Sequence, residues 1–136
     1  MRDLQPAEMD ALLATVPHGR LGTLRDGEPY VVPVGFVWVD GRVWFHSAEG
    51  TKTRCLLHRP QCTFQVDTYD SDTADWSSVM MWGVARPGDQ LPHALPAAWQ
   101  ALRERFGHVL HRVVSGTGSG RLWAIEVQRR TGRTGP

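Results

Sequence analysis

The residues able to do chemistry crowd into one short stretch, Val43-Trp44-Phe45-His46-Ser47-Ala48-Glu49-Gly50-Thr51-Lys52-Thr53-Arg54. It begins apolar and β-prone, turns through small residues at Ser47-Ala48 and Gly50, and ends in a short helical pattern. A strand that delivers a Gly-Thr-Lys turn onto a helix start makes an anion site. The first backbone N–H groups have no intrahelical acceptor, the dipole is positive there, and hydroxyls and cations lie beside them. Lys52 is the single lysine; the rest of the 15 basic residues are arginine. A solvated helix start with a chance lysine would carry the same pattern. His46 is a candidate proton donor, because a histidine titrates near neutrality. A strand-end histidine satisfied by backbone is the competing reading.

Other chemistries find less support. No Ser-His-Asp or paired-carboxylate spacing points to hydrolysis. The acidic run Asp70 to Asp75 lacks the glycine and terminal glutamate of a calcium loop. His108 and His111 have no third ligand at a matching spacing for zinc. Cys55 and Cys62 do not form a C-x-x-C pair. The glycines of Gly116 to Gly120 do not sit between a strand and a helix, so they are not a dinucleotide fingerprint. No metal site is expected.

A chain of 136 residues with 41% hydrophobic and 21% charged residues reads as one globular domain. It is expected to span residues 1–128, with 129–136 a basic, frayed tail. A net charge of +1 supplies no field for nucleic acid or an anionic membrane. No run of about 20 apolar residues suggests a membrane span. No apolar segment follows a basic start, so a cytoplasmic location is the default.

The elements that must position the candidate stretch follow from periodicity. Leu4 to Val16 reads as an amphipathic helix, with Pro6 at its start and Met9, Leu12, Leu13 and Val16 on one stripe. Arg20 to Arg25 is a strand, and Asp26-Gly27 a hairpin turn. Pro29 to Val39 is a long β run with Tyr30, Val32, Val34, Phe36 and Trp38 on one face. Its two apolar faces suggest a central strand or an interface. Pro33 cannot donate to a ladder, so the sheet should break, bulge or open there, with Gly35 leaving room beside it. Asp40-Gly41 is a second turn and Arg42 to His46 a third strand. Thr51 to His58 is helical, Gln61 to Tyr69 and Trp76 to Arg86 are strands, Pro96 to Phe106 is a helix, and Arg121 to Gln128 is the last strand. The sum is mainly β (α+β): a small antiparallel barrel with two to three peripheral helices.

Three stretches then carry a family resemblance: Leu21-Gly-Thr-Leu-Arg-Asp-Gly-Glu-Pro-Tyr-Val-Val-Pro-Val34, Phe45-His-Ser-Ala-Glu-Gly-Thr-Lys52 and Ser78-Val-Met-Met-Trp-Gly-Val-Ala85. In this order they resemble the FMN-binding split β-barrel proteins, relatives of pyridoxamine 5′-phosphate oxidase. The likeness is strongest to the short branch that includes the nitroimidazole-resistance proteins. The resemblance implies a homodimer with FMN in grooves between subunits. By position it implies that Lys52 holds the FMN phosphate, with the Thr51 hydroxyl beside it and Arg54 as a second cation. Val32, Pro33 and Val34 would run along the isoalloxazine ring, His46 and Ser47 would end a strand beside it, and Ser78 would face the ring or its ribityl chain.

The departures from the family also carry information. Pyridoxamine phosphate oxidases have basic residues along the second strand, where this chain has Pro29 to Val34. They also have a C-terminal substrate segment that this chain is expected to lack. True pyridoxamine phosphate oxidation is therefore not expected. The expected function is an FMN-dependent oxidoreductase acting on a small molecule such as a nitroaromatic or a quinone. The alternative is a non-catalytic carrier of flavin, deazaflavin or haem, or a regulatory dimer.

Overall fold

The computed structural model describes residues 1–114 and 120–136. The glycine loop singled out above therefore lies, apart from Gly120, outside the described residues. The strands are β1 (Arg2–Asp3), β2 (His18–Arg25), β3 (Glu28–Gly35), β4 (Val37–Val39), β5 (Arg42–Ser47), β6 (Gln61–Tyr69), β7 (Trp76–Pro87) and β8 (Arg121–Gly135). The helices are α1 (Pro6–Thr15), α2 (Thr51–His58), α3 (Leu95–Phe106) and the single turn α4 (Leu110–Val113). One antiparallel sheet runs in the order β3-β2-β6-β7-β8-β5-β4, with β1 added against β8. The architecture is a half-barrel carrying helices on its ends and one flank, consistent with a split β-barrel.

Both turn signals hold, for a backbone reason. Asp26-Gly27 and Asp40-Gly41 have φ of 51° and 81°, and 53° and 73°. A two-residue turn with positive φ at both positions matches the twist of its strands, and Asp-Gly reaches that conformation cheaply.

Two apolar clusters organise the molecule. Alternate residues of the strands, such as Leu21, Phe45, Phe64, Met81 and Ile125, face inward and are fully buried. Leu13 of α1 and Leu56 of α2 close this core. On the outer face of β4, β5 and β8, Val37, Trp44, Leu122 and Ala124 are covered by Ala98 and Leu102 of α3. Arg105, in the last turn of α3, ties the pieces together. Its guanidinium donates to the carbonyls of Leu13, Ala14 and Val16 at the end of α1, and to that of Phe36. Those carbonyls ending α1 have no intrahelical donor, so a cation placed there is favourable.

Three expectations are corrected. The run Pro29 to Val39 is not one strand. It breaks at Phe36, and its halves lie at opposite ends of the sheet order. Phe36 turns inward at the break and stacks edge-on against Phe64, with ring centroids 5.0 Å apart. Second, the ladder does not open at Pro33: β3 pairs with β2 residue by residue from Glu28 to Gly35. β3 is an edge strand, and an edge tolerates a residue without an N–H. The space beside Gly35 faces the ring of Phe106, where an added Cβ would come within 3.3 Å. Third, Arg129 to Gly135 is not a frayed tail but the second half of β8, paired along the start of β7. Gly132 is buried, its carbonyl accepts from Leu4 N–H at 2.8 Å, and Arg130 pairs with Asp10 at 2.6 Å. A basic composition hid a strand whose pairing partner is remote in sequence.

Candidate functional site

The start of α2 has the local geometry of an anion site. The Gly50 N–H donates to Thr53 Oγ1 at 2.9 Å, and that hydroxyl donates back to the Gly50 carbonyl at 3.0 Å. The first helical bond runs from Arg54 N–H to Gly50 O. The N–H groups of Thr51, Lys52 and Thr53 therefore have no intrahelical acceptor. Thr53 is buried and caps the helix, whereas Thr51 and Lys52 are half-exposed. No carboxylate among the described residues pairs with Lys52. An uncompensated lysine beside unsatisfied amides and the Thr51 hydroxyl fits a phosphate group.

The other candidate residues do not gather at this point in one chain. Residues two apart on a helix project about 200° apart, so Lys52 and Arg54 leave α2 on opposite flanks of Thr53. Arg54 lines a cavity of about 210 Å³ with Ser47, Thr53, Arg121 and Trp123. Sequence reading missed Arg121 and Trp123, which are brought there by the β5–β8 pairing. Strand alternation sends Ser47 and His46 to opposite faces of β5. Ser47 is buried, and its hydroxyl donates to the Ala48 carbonyl at 2.7 Å. His46 packs against Trp99 of α3, with ring centroids 6.1 Å apart, and against Gly120. Burial lowers its pKa below the ordinary 6.5 and so favours the neutral ring.

Ser78 lies on the outer face of β7, where its hydroxyl accepts from Gln65 Nε2 at 3.1 Å. Arg20 donates to both Gln65 and Asp67 beside it. This polar patch adjoins β3, because Arg20 pairs with Pro33. Pro33 has no N–H, so its pair with Arg20 is of the non-hydrogen-bonded kind. Val32 and Val34 then aim their peptide groups at β2. The open edge carries the N–H and carbonyl of Val31 and the carbonyl of Pro33. The polar groups along this edge are therefore those of Val31 and Pro33, on the same strand as Val32 and Val34.

The family model described as Pyridoxamine 5′-phosphate oxidase matches residues 5–134. The chain belongs to this family. Among solved structures, the family member is similar to an FAD-binding protein from Mesorhizobium loti, with 25% identity, a TM-score of 0.79, and 99% of this chain and 98% of that one covered. It is also similar to an FAD-binding protein from Mycobacterium smegmatis, with 26% identity, a TM-score of 0.69, and 99% and 100% covered. A candidate 5-nitroimidazole antibiotic resistance protein from Bacteroides thetaiotaomicron shares the fold, with 18% identity, a TM-score of 0.71, and 98% and 86% covered.

Proposed function

We propose that this oxidase-family chain binds a flavin nucleotide, FMN or FAD, and acts as a flavin-dependent oxidoreductase on a small molecule. The carrying observation is Lys52 at the first turn of α2, with no carboxylate partner among the described residues and with unsatisfied amides beside it. FMN and FAD share the phosphate on the ribityl chain, and this is the group that Lys52, the Thr51 hydroxyl and the α2 amides would hold. Two similar structures are FAD-binding proteins, which supports a flavin and widens the expectation from FMN alone. The exposed polar edge of β3 at Val31 and Pro33 would face the ring's polar rim, and the polar patch at Ser78 lies on the same side. Flavin supplies the electron transfer, and the chain supplies binding, orientation and a closed groove.

A homodimer in the cytoplasm belongs to the same proposal. β3 is an open strand edge bearing Val31, which is 64% exposed. A second subunit placed on it would both cover the edge and bring further residues to the flavin. No helix among the described residues is long and apolar enough to cross a membrane.

The test is the absorbance spectrum of the purified protein, before and after incubation with FMN or FAD. Flavin bands that survive gel filtration are the expected result. A colourless protein that rejects both nucleotides would sink the proposal. Flavin binding without oxidation of reduced nicotinamide across nitroaromatic and quinone acceptors would leave a carrier, and remove the oxidoreductase half.

A further inference from the structure

We infer that the flavin site is built for FAD rather than FMN, with the cavity between α2 and the start of β8 taking the second phosphate and the adenosine. The inference rests on the flavin reading above. It extends that reading from the phosphate both nucleotides share to the half that only FAD has. The cavity adjoins the proposed phosphate site, because Arg54 on its wall donates to Thr51 Oγ1 at 3.4 Å. Lys52 and Arg54 leave α2 on opposite flanks of Thr53, and Arg121 reaches the Arg54 side from β8. Lys52, the Thr51 hydroxyl and the α2 amides serve one phosphate. The two arginines on the other flank serve a second, so the helix start can hold a diphosphate across its mouth.

The rest of the wall distinguishes a nucleotide from a bare anion. Glu49 and Leu57 line the cavity together with Arg54 and Arg121. Among the described residues Glu49 pairs with neither arginine, and neither arginine pairs with any other carboxylate. A second anion alone would be repelled by Glu49. It would also leave Leu57, 61% exposed on α2, in contact with water. A ribose answers the carboxylate, because its hydroxyls donate and an ionised Glu49 only accepts. Adenine answers the leucine, because a flat base laid on it removes apolar surface from water. FMN ends at its phosphate and offers neither group. At about 210 Å³ the cavity admits a phosphate and a sugar, with the base against Leu57 at its rim.

The experiment titrates the full-length protein, freed of bound flavin, with FAD and with FMN by calorimetry. The readout is the ratio of the two affinities. Wild type should prefer FAD by about tenfold or more, the gain expected from one charged hydrogen bond. Arg121→Gln and Glu49→Ala change exposed positions, and each should remove most of that preference. Lys52→Met should weaken both nucleotides and keep the ratio. Glu49→Ala carries the sharper sign. Deleting a negative charge would by itself tighten both nucleotides, so a fall in the ratio marks the lost ribose contact. FMN binding as tightly as FAD to wild type overturns the inference and leaves the flavin reading standing. So does an Arg121→Gln variant that weakens both nucleotides equally, or a Glu49→Ala variant with the wild-type ratio. Rejection of both nucleotides by wild type defeats the flavin reading itself, and this inference with it.

Discussion

At the residue scale, the proposal concentrates on Lys52. A hydrogen bond to a charged group contributes roughly 1.5–3 kcal/mol. Lys52→Met should therefore weaken FMN and FAD about 10- to 150-fold, read by flavin fluorescence titration, while riboflavin, which lacks the phosphate, barely changes. Lys52→Arg should recover part of the loss, because a planar fork does not replace a point charge. Equal weakening of riboflavin would show that the lysine supports the fold rather than the phosphate. His46 makes a separate prediction. Burial holds its pKa below 6.5 in the folded chain, so between that lowered value and 6.5 the unfolded state binds more protons. Stability should then rise with pH across this window and fall as pH drops from 6.5 towards the folded value. His46→Gln should flatten that part of the profile of urea midpoints against pH. An unchanged slope would mean that His46 is not the group responsible.

At the element scale, two joints hold the fold. Arg105 bridges α3 to the end of α1 and to the break at Phe36. Arg105→Met should cost about 1.5–3 kcal/mol in chemical denaturation. Arg105→Lys should recover only part, since one ammonium cannot serve the same spread of carbonyls. A loss under about 0.5 kcal/mol, the range of neutral surface changes, would show that the bridge is not structural. The second joint is Gly83. The β7–β8 register slips between Trp82 and Gly83, and a Cβ on Gly83 would lie 2.3 Å from the Glu126 carbonyl oxygen. That oxygen is backbone and cannot swing aside. Gly83→Ala should therefore destabilise by about 1–3 kcal/mol, as overpacking does, whereas the same change at Gly27, whose Cβ meets nothing, is opposed only by its φ of 81°. An unaltered urea midpoint for Gly83→Ala would refute the close approach.

At the scale of the whole molecule, the proposed dimer rests on the outer face of the sheet and the open edge of β3. A groove of about 340 Å³ crosses that face, lined by Gly22, Tyr30, Val31, Thr63 and Trp82 among others, and Arg129 stacks over Trp82 at 3.8 Å. The groove runs to the open edge of β3. Light scattering at micromolar concentration should give the mass of two chains. Val31→Lys, which places a charge on the edge without touching the core, should shift the population towards monomer. A wild-type monomer would remove the dimer and with it the shared flavin groove.

The sequence by itself determined what is local. Both Asp-Gly hairpins, the full extents of α2 and β6, and the unpaired amides at Thr51 to Thr53 follow from turn chemistry, period and capping over a few neighbouring residues. The family resemblance was legible for the same reason, as three short motifs in a fixed order. What the tertiary structure decided is whatever depends on distant partners. The strand at Arg129 to Gly135 exists because β7 and β1 pair with it, not because its residues favour β structure. Pro33 is tolerated because its strand ends the sheet, which no window around Pro33 can show. The cavity at Arg54, Arg121 and Trp123 joins residues some 70 positions apart, brought together where β5 pairs with β8. Its chemistry arises from two segments whose spacing in sequence says nothing of their meeting.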